Sequence, residues 1–422
     1  MGTRLAGLLV LLASLACASP ASATFPGANG KIIGFDSNGA GTVRSVDGTG
    51  RFALPKRLND YSASADGTQL IAIQHPTRKH PGCGAVVLLD VNGGNRRKLY
   101  ECTGVANSFS PGVREPRLSP DGRTALFVAY VDDESRLMLV DTDGSNPRPV
   151  GALGQPGAVA LEPRFSADGT RIFVGSVGGS VILDRSDPST EPPLDPVDTL
   201  DIFSVRLDGS DAVNLTNTPD RSEVMLDVAP DGSRIMFGEV GQHSGGVVLA
   251  KPDGSDPTEY AIPPALTPGY AYYSVSHVSF RPDGQGLAYA LRYYCRSGPK
   301  KCPPSTLVNT GLDFSTPVAA GAGPVGFLSD WAPAATDVTS PATTLDQPRV
   351  VDGTPVTRAH SDDPGARFQC RLDQKPDEFC SGSPLSLPEV RPGRHQLCVK
   401  AVDPVGNVDA TPACRGFKAP KD

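Results

Sequence analysis

The chain lacks the signatures of the commonest enzyme classes. It has no G-x-S-x-G nucleophile elbow, no P-loop, no glycine-rich dinucleotide fingerprint joining a strand to a helix and no H-E-x-x-H. Serine-hydrolase, nucleotide-binding and zinc-peptidase chemistries therefore have nowhere obvious to sit. No cysteine pair has the C-x-x-C spacing of a zinc site. Positive charge is in short supply, with 39 Lys and Arg against 46 Asp and Glu and a formal charge of −7, which argues against general nucleic-acid binding. The six histidines are scattered at 75, 80, 243, 277, 360 and 395. After the first residues no apolar run is long enough to span a bilayer.

Glycine and proline are abundant, 46 and 41 of 422 residues. That share stays below the roughly 25–30% that marks disorder. With 39% apolar residues there is material for a packed core. Many short elements joined by many turns are expected, and helical bundles are not.

Residues 1–23 read as an export signal. One arginine precedes an apolar stretch from Leu5 to Ala18, and Ala21-Ser22-Ala23 offers a small-x-small cleavage site. A mature chain beginning at Thr24 is expected, in a secreted or extracytoplasmic location and with no membrane span. An uncleaved anchor and a lipoprotein route through Cys17, in Ser14-Leu15-Ala16-Cys17, are the alternatives. Eight cysteines remain, and an even number in an exported chain reads as disulfides. Pairs that flank turns predict four local bridges: Cys83–Cys102 around Asn92-Gly93, Cys295–Cys302 around Gly298-Pro299, Cys370–Cys380, and Cys398–Cys414 around Gly406-Asn407.

A repeat runs through residues 24–334. EPRLSPDGRTALFVAY followed by RLMLVDTDGSNPRPV reads as two hairpins, hence a four-stranded meander A-B-C-D. In Ser119-Pro120-Asp121-Gly122 the proline presets φ, the aspartate caps and the glycine takes the left-handed position. This turn recurs at Asp66-Gly67, Asp168-Gly169, Asp231-Gly232 and Asp283-Gly284. The second turn recurs at Asp47-Gly48, Asn92-Gly93, Asp208-Gly209 and Asp253-Gly254. The two turn aspartates lie 22 residues apart both at 121/143 and at 231/253. Five full units follow, at the spacing of propeller blades with insertions. Phe25 to Phe35 begins at a strand B, and Val325 to Pro333 ends on a strand A. One blade built from both ends would close the ring, giving an all-β, six-bladed β-propeller, with seven blades as the alternative. The FPGANGK opening, the SPDG turns and the DWAP close resemble the TolB-type propeller family over about 310 residues.

Residues 335–344, rich in Ala, Thr, Ser and Pro, read as a linker. Residues 345–422 hold four cysteines, and FQCRLD and GRHQLCVKAVDPVGNVDATPA resemble a bacterial Ig-like module, which implies a small disulfide-stapled β-sandwich.

Antiparallel strands put the A–B and C–D turns on one face of the ring and the irregular B–C and D–A loops on the other. Loops on a rigid scaffold carry function, so the loop face is the candidate binding face. Its candidate contacts are Arg78 and Lys79 in the Gln74 to Gly84 loop, and Arg292, Tyr294, Arg296, Lys300 and Lys301 in RYYCRSGPKKC. Arg with aromatics is the composition of interface anchors; solvated loops are the plain alternative. The Asp184 to Asp201 insert is acidic. His75 and His80 beside Cys83 read as solvated loop histidines, and the oxygen-rich run Asp141 to Asn146 as a turn. No catalytic, cofactor or metal residue is assigned. The expectation is a non-enzymatic exported binding or scaffold protein whose partner is an extracytoplasmic protein or a cell-envelope polymer. A propeller enzyme acting on polysaccharide as lyase or hydrolase is the runner-up, and a small-ligand sensor a third reading.

Overall fold

The computed structural model describes residues 29–35, 40–45, 50–76, 83–102, 112–131, 134–151, 160–177, 200–218, 221–241, 246–261, 273–293, 306–314, 317–319, 327–380, 382–385 and 387–420. Residues 1–28, the 178–199 insert and the 294–305 loop, with Cys295 and Cys302, lie outside them.

Every element among the described residues is a strand. The first sheet contains β1 (Asn29–Phe35), β2 (Gly41–Ser45) and β3 (Phe52–Ala53). The second is β4 (Leu58–Ala63), β5 (Gln69–Gln74), β6 (Ala85–Asp90) and β7 (Arg97–Glu101). The third is β8 (Val113–Leu118), β9 (Thr124–Val131), β10 (Glu134–Asp141) and β11 (Arg148–Pro149). The fourth is β12 (Ala160–Phe165), β13 (Arg171–Val177), β14 (Leu200–Arg206) and β15 (Val213–Asn214). The fifth is β16 (Arg221–Val228), β17 (Ile235–Gly241), β18 (Gly246–Ala250) and β19 (Thr258–Ala261). The sixth is β20 (Tyr273–Phe280), β21 (Leu287–Tyr293), β22 (Thr306–Thr310) and β23 (Val318–Ala319). Then β24 (Phe327–Pro333) returns to pair antiparallel with β1, which makes the first sheet four-stranded like the others. The first strands β24, β4, β8, β12, β16 and β20 touch in a closed cycle, so they surround the axis of a ring.

Turn chemistry sets the hairpins. Asp66 Oδ1 accepts from the Ser64 hydroxyl at 2.6 Å and the Thr68 amide at 3.0 Å, while Gly67 takes φ 68°. Asp121 and Asp168 accept from Ser119 and Ser166 in the same way, both at 2.6 Å. Such side-chain to backbone bonds favour a turn over any continued strand. The strands between turns are buried on both faces. In β9, Phe127, Ala125 and Ala129 pack toward the second sheet, with Ile71 and Leu88, while Leu126 and Val128 pack toward the fourth, with Phe165 and Val205. Each fully buried Phe or Leu of this kind contributes about 1.5–3 kcal/mol.

Three predicted disulfides are formed: Cys83–Cys102 (Cα–Cα 5.4 Å), Cys370–Cys380 (5.7 Å) and Cys398–Cys414 (4.0 Å).

The C-terminal residues build a sheet from β29 (Arg367–Leu372), β30 (Glu378–Cys380), β31 (Gly393–Val402) and β32 (Ala413–Ala419). Two smaller pairs join β25 (Thr343–Leu345) to β28 (Ala359–Ser361), and β26 (Arg349–Val351) to β27 (Thr354–Val356). One face of the large sheet closes its own core with Cys370, Leu372, Leu397 and Val399. The other face meets the ring at the turn of the second sheet. Asn92, fully buried, donates from Nδ2 to the Val402 carbonyl at 3.0 Å, and the Arg367 guanidinium donates to the Asn92 carbonyl at 2.8 Å. Val402 and Val408 join the core of the first two sheets, and Phe379 packs edge-on against Phe52. The stretch read as a linker is held too: Asn407 Nδ2 donates to the Asp337 carbonyl at 3.0 Å.

Two truncations separate closure from this contact. A chain ending after Ala334 keeps β24 and is expected to melt cooperatively as a ring. A chain ending at residue 320 loses β24 and leaves two apolar sheet faces open, so aggregation or loss of the cooperative transition is expected in calorimetry. Equal melting of the two chains defeats the closure.

Candidate functional site on the ring axis

The inner strands share one irregularity. Each of β4, β8, β12, β16 and β20 shifts register between the residues seven and four before its turn aspartate, a β-bulge repeated around the ring. Bulges re-aim side chains. Here they hold Asp60, Glu115, Glu162 and Met225 at φ 53°, 55°, 50° and 59°. A non-glycine residue in that region is strained by about 1–2 kcal/mol, so something must offset it.

The offset is a chain of hydrogen bonds from sheet to sheet. Asp60 Oδ2 accepts from the Glu115 amide, and Glu115 Oε2 accepts from the Glu162 amide. Glu162 Oε2 accepts from the Leu226 amide at 2.7 Å. Each acid therefore ties down the bulge of the next sheet. Burial pushes the Glu115 carboxyl above its ordinary value; Arg114 and the Glu162 amide oppose that, while Asp60 and Glu162 add to it.

Two residues further along each strand lies a second layer: Ser62, Arg117, Arg164, Asp227 and Ser279, joined by Asp330 from β24. Asp330 Oδ2 accepts from the Ser62 hydroxyl at 2.8 Å and the Ala63 amide at 2.9 Å. Asp227 Oδ2 accepts from the Ser279 hydroxyl at 2.9 Å and the Phe280 amide at 2.8 Å, and its other oxygen meets Arg164 Nε at 3.3 Å. Burial, with Arg164 alongside, draws the Arg117 guanidinium down, and Asp60, Asp330 and Glu115 counter it. The axis thus gathers carboxylates and guanidinium groups that the sequence reading had not brought together. Their signal was the Glu-Pro-Arg tripeptide placed identically before two turns, at 115–117 and 162–164.

The predicted contact residues fall elsewhere. Arg292 lies in β21 opposite Ser274. Arg78, Lys79, Tyr294, Arg296, Lys300 and Lys301 lie outside the described residues. The run from Asp141 to Asn146 is turn chemistry, with Asp143 accepting from Ser145 and Asp141 from Arg148. Asp337, Asp363 and Asp403 bring carboxylate oxygens within 4.8 Å of one another, and the Asn407 amide and side chain hold Asp403 at 2.7 and 2.8 Å. On the turn face, a groove of about 430 Å³ opens between the fourth and fifth sheets. Phe173, Val213, Leu215 and Val228 line it beside the Arg171–Asp211 ion pair. Val213 holds the strand position there that Phe52 holds in the first sheet, where the C-terminal sheet covers it.

No family model and no curated protein matches the chain. Solved structures do. TolB from Acinetobacter baumannii superposes with a TM-score of 0.51 at 16% identity, covering 72% of this chain and 66% of its own. A protein assigned as TolB from Agrobacterium tumefaciens gives 0.46 at 16% identity, covering 72% and 92%. An oligogalacturonate lyase in complex with manganese gives 0.42 at 17% identity, covering 70% and 74%. The chain spans just under two thirds of the length of the first of these. At such identities the likeness shows the fold: this is a TolB-like β-propeller.

Replacing Glu162 with Ala removes the acceptor of the Leu226 amide and the tie between two sheets. A destabilisation of about 1–3 kcal/mol is expected in denaturant unfolding. Glu259→Ala, on the exposed β19, is expected to change little; equal losses would show that the axis acids carry no special burden.

Proposed function

We propose that the chain is an exported, non-enzymatic binding or scaffold protein that docks an extracytoplasmic protein or envelope polymer on the loop face of its propeller. One observation carries this reading. The protein's own C-terminal sheet covers part of the turn face through Asn92, Arg367, Phe52 and Phe379, which leaves the opposite face for an outside partner. The axis acids are engaged in holding sheets together, which fits a scaffold. Three disulfides suit an oxidising compartment, in keeping with residues 1–23 as a cleaved signal and Thr24 as the mature start. Residues 24–334 form the propeller in this reading, and residues 345–422 an Ig-like module fixed on its rim. The reading requires no cofactor and no nucleic acid.

Crosslinking in the native envelope identifies the partner. Replacing Arg292, Tyr294, Arg296, Lys300 and Lys301 with Ala is expected to weaken its capture at least tenfold, since anchor residues typically contribute over 1 kcal/mol each, while Tm stays within about 2 °C. Ser145, Ser210 and Ser255, on the turn face, are the control set; weaker capture from the control set alone places the function on the wrong side.

The second reading is a polysaccharide lyase or hydrolase. Glu115, with its raised carboxyl beside Arg114, is the kind of group that acid–base chemistry uses. Cleavage of an acidic glycan by the wild type, abolished in Glu115→Gln, would establish it.

A further inference from the structure

A second buried acid lies where β15 leads into β16, and the axis chain does not use it. Glu223, in β16, is 1% exposed, and Asp201, in β14, is 8% exposed. Between them stands one hydroxyl. Thr216 Oγ1 lies 2.9 Å from Glu223 Oε2 and 3.3 Å from Asp201 Oδ1, and it accepts from the Ile202 amide at 3.0 Å. The rest of the segment is tied to the same two acids. The Thr218 hydroxyl donates to Glu223 Oε1, the Thr218 amide to Asp201 Oδ1 at 3.0 Å and Asn214 Nδ2 to Asp201 Oδ2 at 2.7 Å.

Counting protons decides what state this cluster is in. A threonine hydroxyl has one hydrogen and two lone pairs. With both acids ionised, Thr216 can donate to only one of them, and two buried negative charges face each other across it. With a proton on Glu223, every contact is satisfied at once. Glu223 donates to Thr216, which also accepts from Ile202 and donates to Asp201. We propose that Glu223 holds a proton that it donates to Thr216, and that this proton latches residues 214–218 onto the fifth sheet, so that the latch weakens as pH rises.

The surrounding charges favour a proton on Glu223. Glu239 faces Glu223 across the β16–β17 pair, and its carboxylate is bonded to Arg221 at 2.7 Å. Glu115 and Glu162 line a small cavity with Glu223, walled by Ile202, Val224 and Leu226. Asn214, Thr216 and Thr218 contribute no charge. Among the described residues, Arg221 at this seam is bonded to Glu239, and the acids Glu239, Glu115 and Glu162 surround Glu223. Burial is the main cause that raises the Glu223 carboxyl to about 7, with Asp201 and Glu239 adding to it and the Thr218 and Thr216 bonds opposing. Desolvation and like charge both favour the neutral form.

The sign follows from linkage. An acid with its folded pKa raised binds more protons folded than unfolded between its ordinary value of 4.5 and about 7. Its contribution to stability is whole below that window, falls across it as pH rises, and is level above it. Glu223→Gln mimics the protonated acid and keeps a donor for Thr216.

The test melts the full chain, wild type and Glu223→Gln, from about pH 4.5 to about pH 8.5, alongside hydrogen exchange of the wild type. Tm of the wild type relative to the variant is expected to fall up to about pH 7 and then stay level. Protection of the Ile202 and Thr218 amides, corrected for intrinsic rate, is expected to drop at least tenfold over the same range. A pH-independent Tm difference overturns the proposal. If Glu223→Gln does not fold, the wild-type exchange decides alone, and constant protection of those two amides overturns it equally.

Discussion

The pairing of β24 with β1 is the constraint on which the rest of the ring depends. It joins the two ends of the repeat, and it does so where no side chain fits. A Cβ on Gly30 or on Gly67 would come within 2.2 Å of the Pro333 carbonyl oxygen. Two glycines from neighbouring sheets therefore let the returning strand lie against both. Asp330 then fastens that strand to Ser62 and Ala63 of the second sheet. Each sheet of a ring buries its faces only between two neighbours, so one open seam exposes apolar surface on both sides of it.

Closure also explains why charged groups sit at the axis. Inner strands converge there, and their bulges leave backbone amides without ladder partners. A buried amide needs an acceptor, and acids from the preceding sheet supply it. Asp60, Glu115 and Glu162 run as one directional series, each serving the next sheet. Where the series reaches Met225, the layer beneath takes over, with Asp227 reaching across to Ser279 and Phe280. An acid recruited this way is both a strut and a perturbed titratable group, as Glu115 shows.

The C-terminal sheet adds a second kind of order. Its outward face carries Arg367, Phe379 and Val402, which would be an exposed patch on an isolated unit. Against the ring, Val402 is fully buried, and Arg367 lies 4.3 Å over the Phe379 ring while bonding to Asn92. The Asn92-Gly93 turn thus closes a hairpin and also anchors the C-terminal sheet. One buried asparagine satisfied by backbone groups of another unit specifies orientation more sharply than apolar contact does.

The sequence by itself determined what is local. The aspartate–glycine turns, the alternating apolar strands, three of the disulfide pairs and the incomplete blade at each end could all be read within a few residues, because turn bonding and strand burial are set by near neighbours in the chain. The axis acids could not be read that way. Glu115 and Glu162 looked like ordinary strand residues, since their acceptor role depends on an amide 47 and 64 residues further on. Asn92 looked like a turn residue and nothing more, and Glu223 gave no sign of its partner Asp201. These roles exist only once the ring has closed, because hydrogen bonding and desolvation act over a few ångströms of space, and only the tertiary fold sets which distant residues share them.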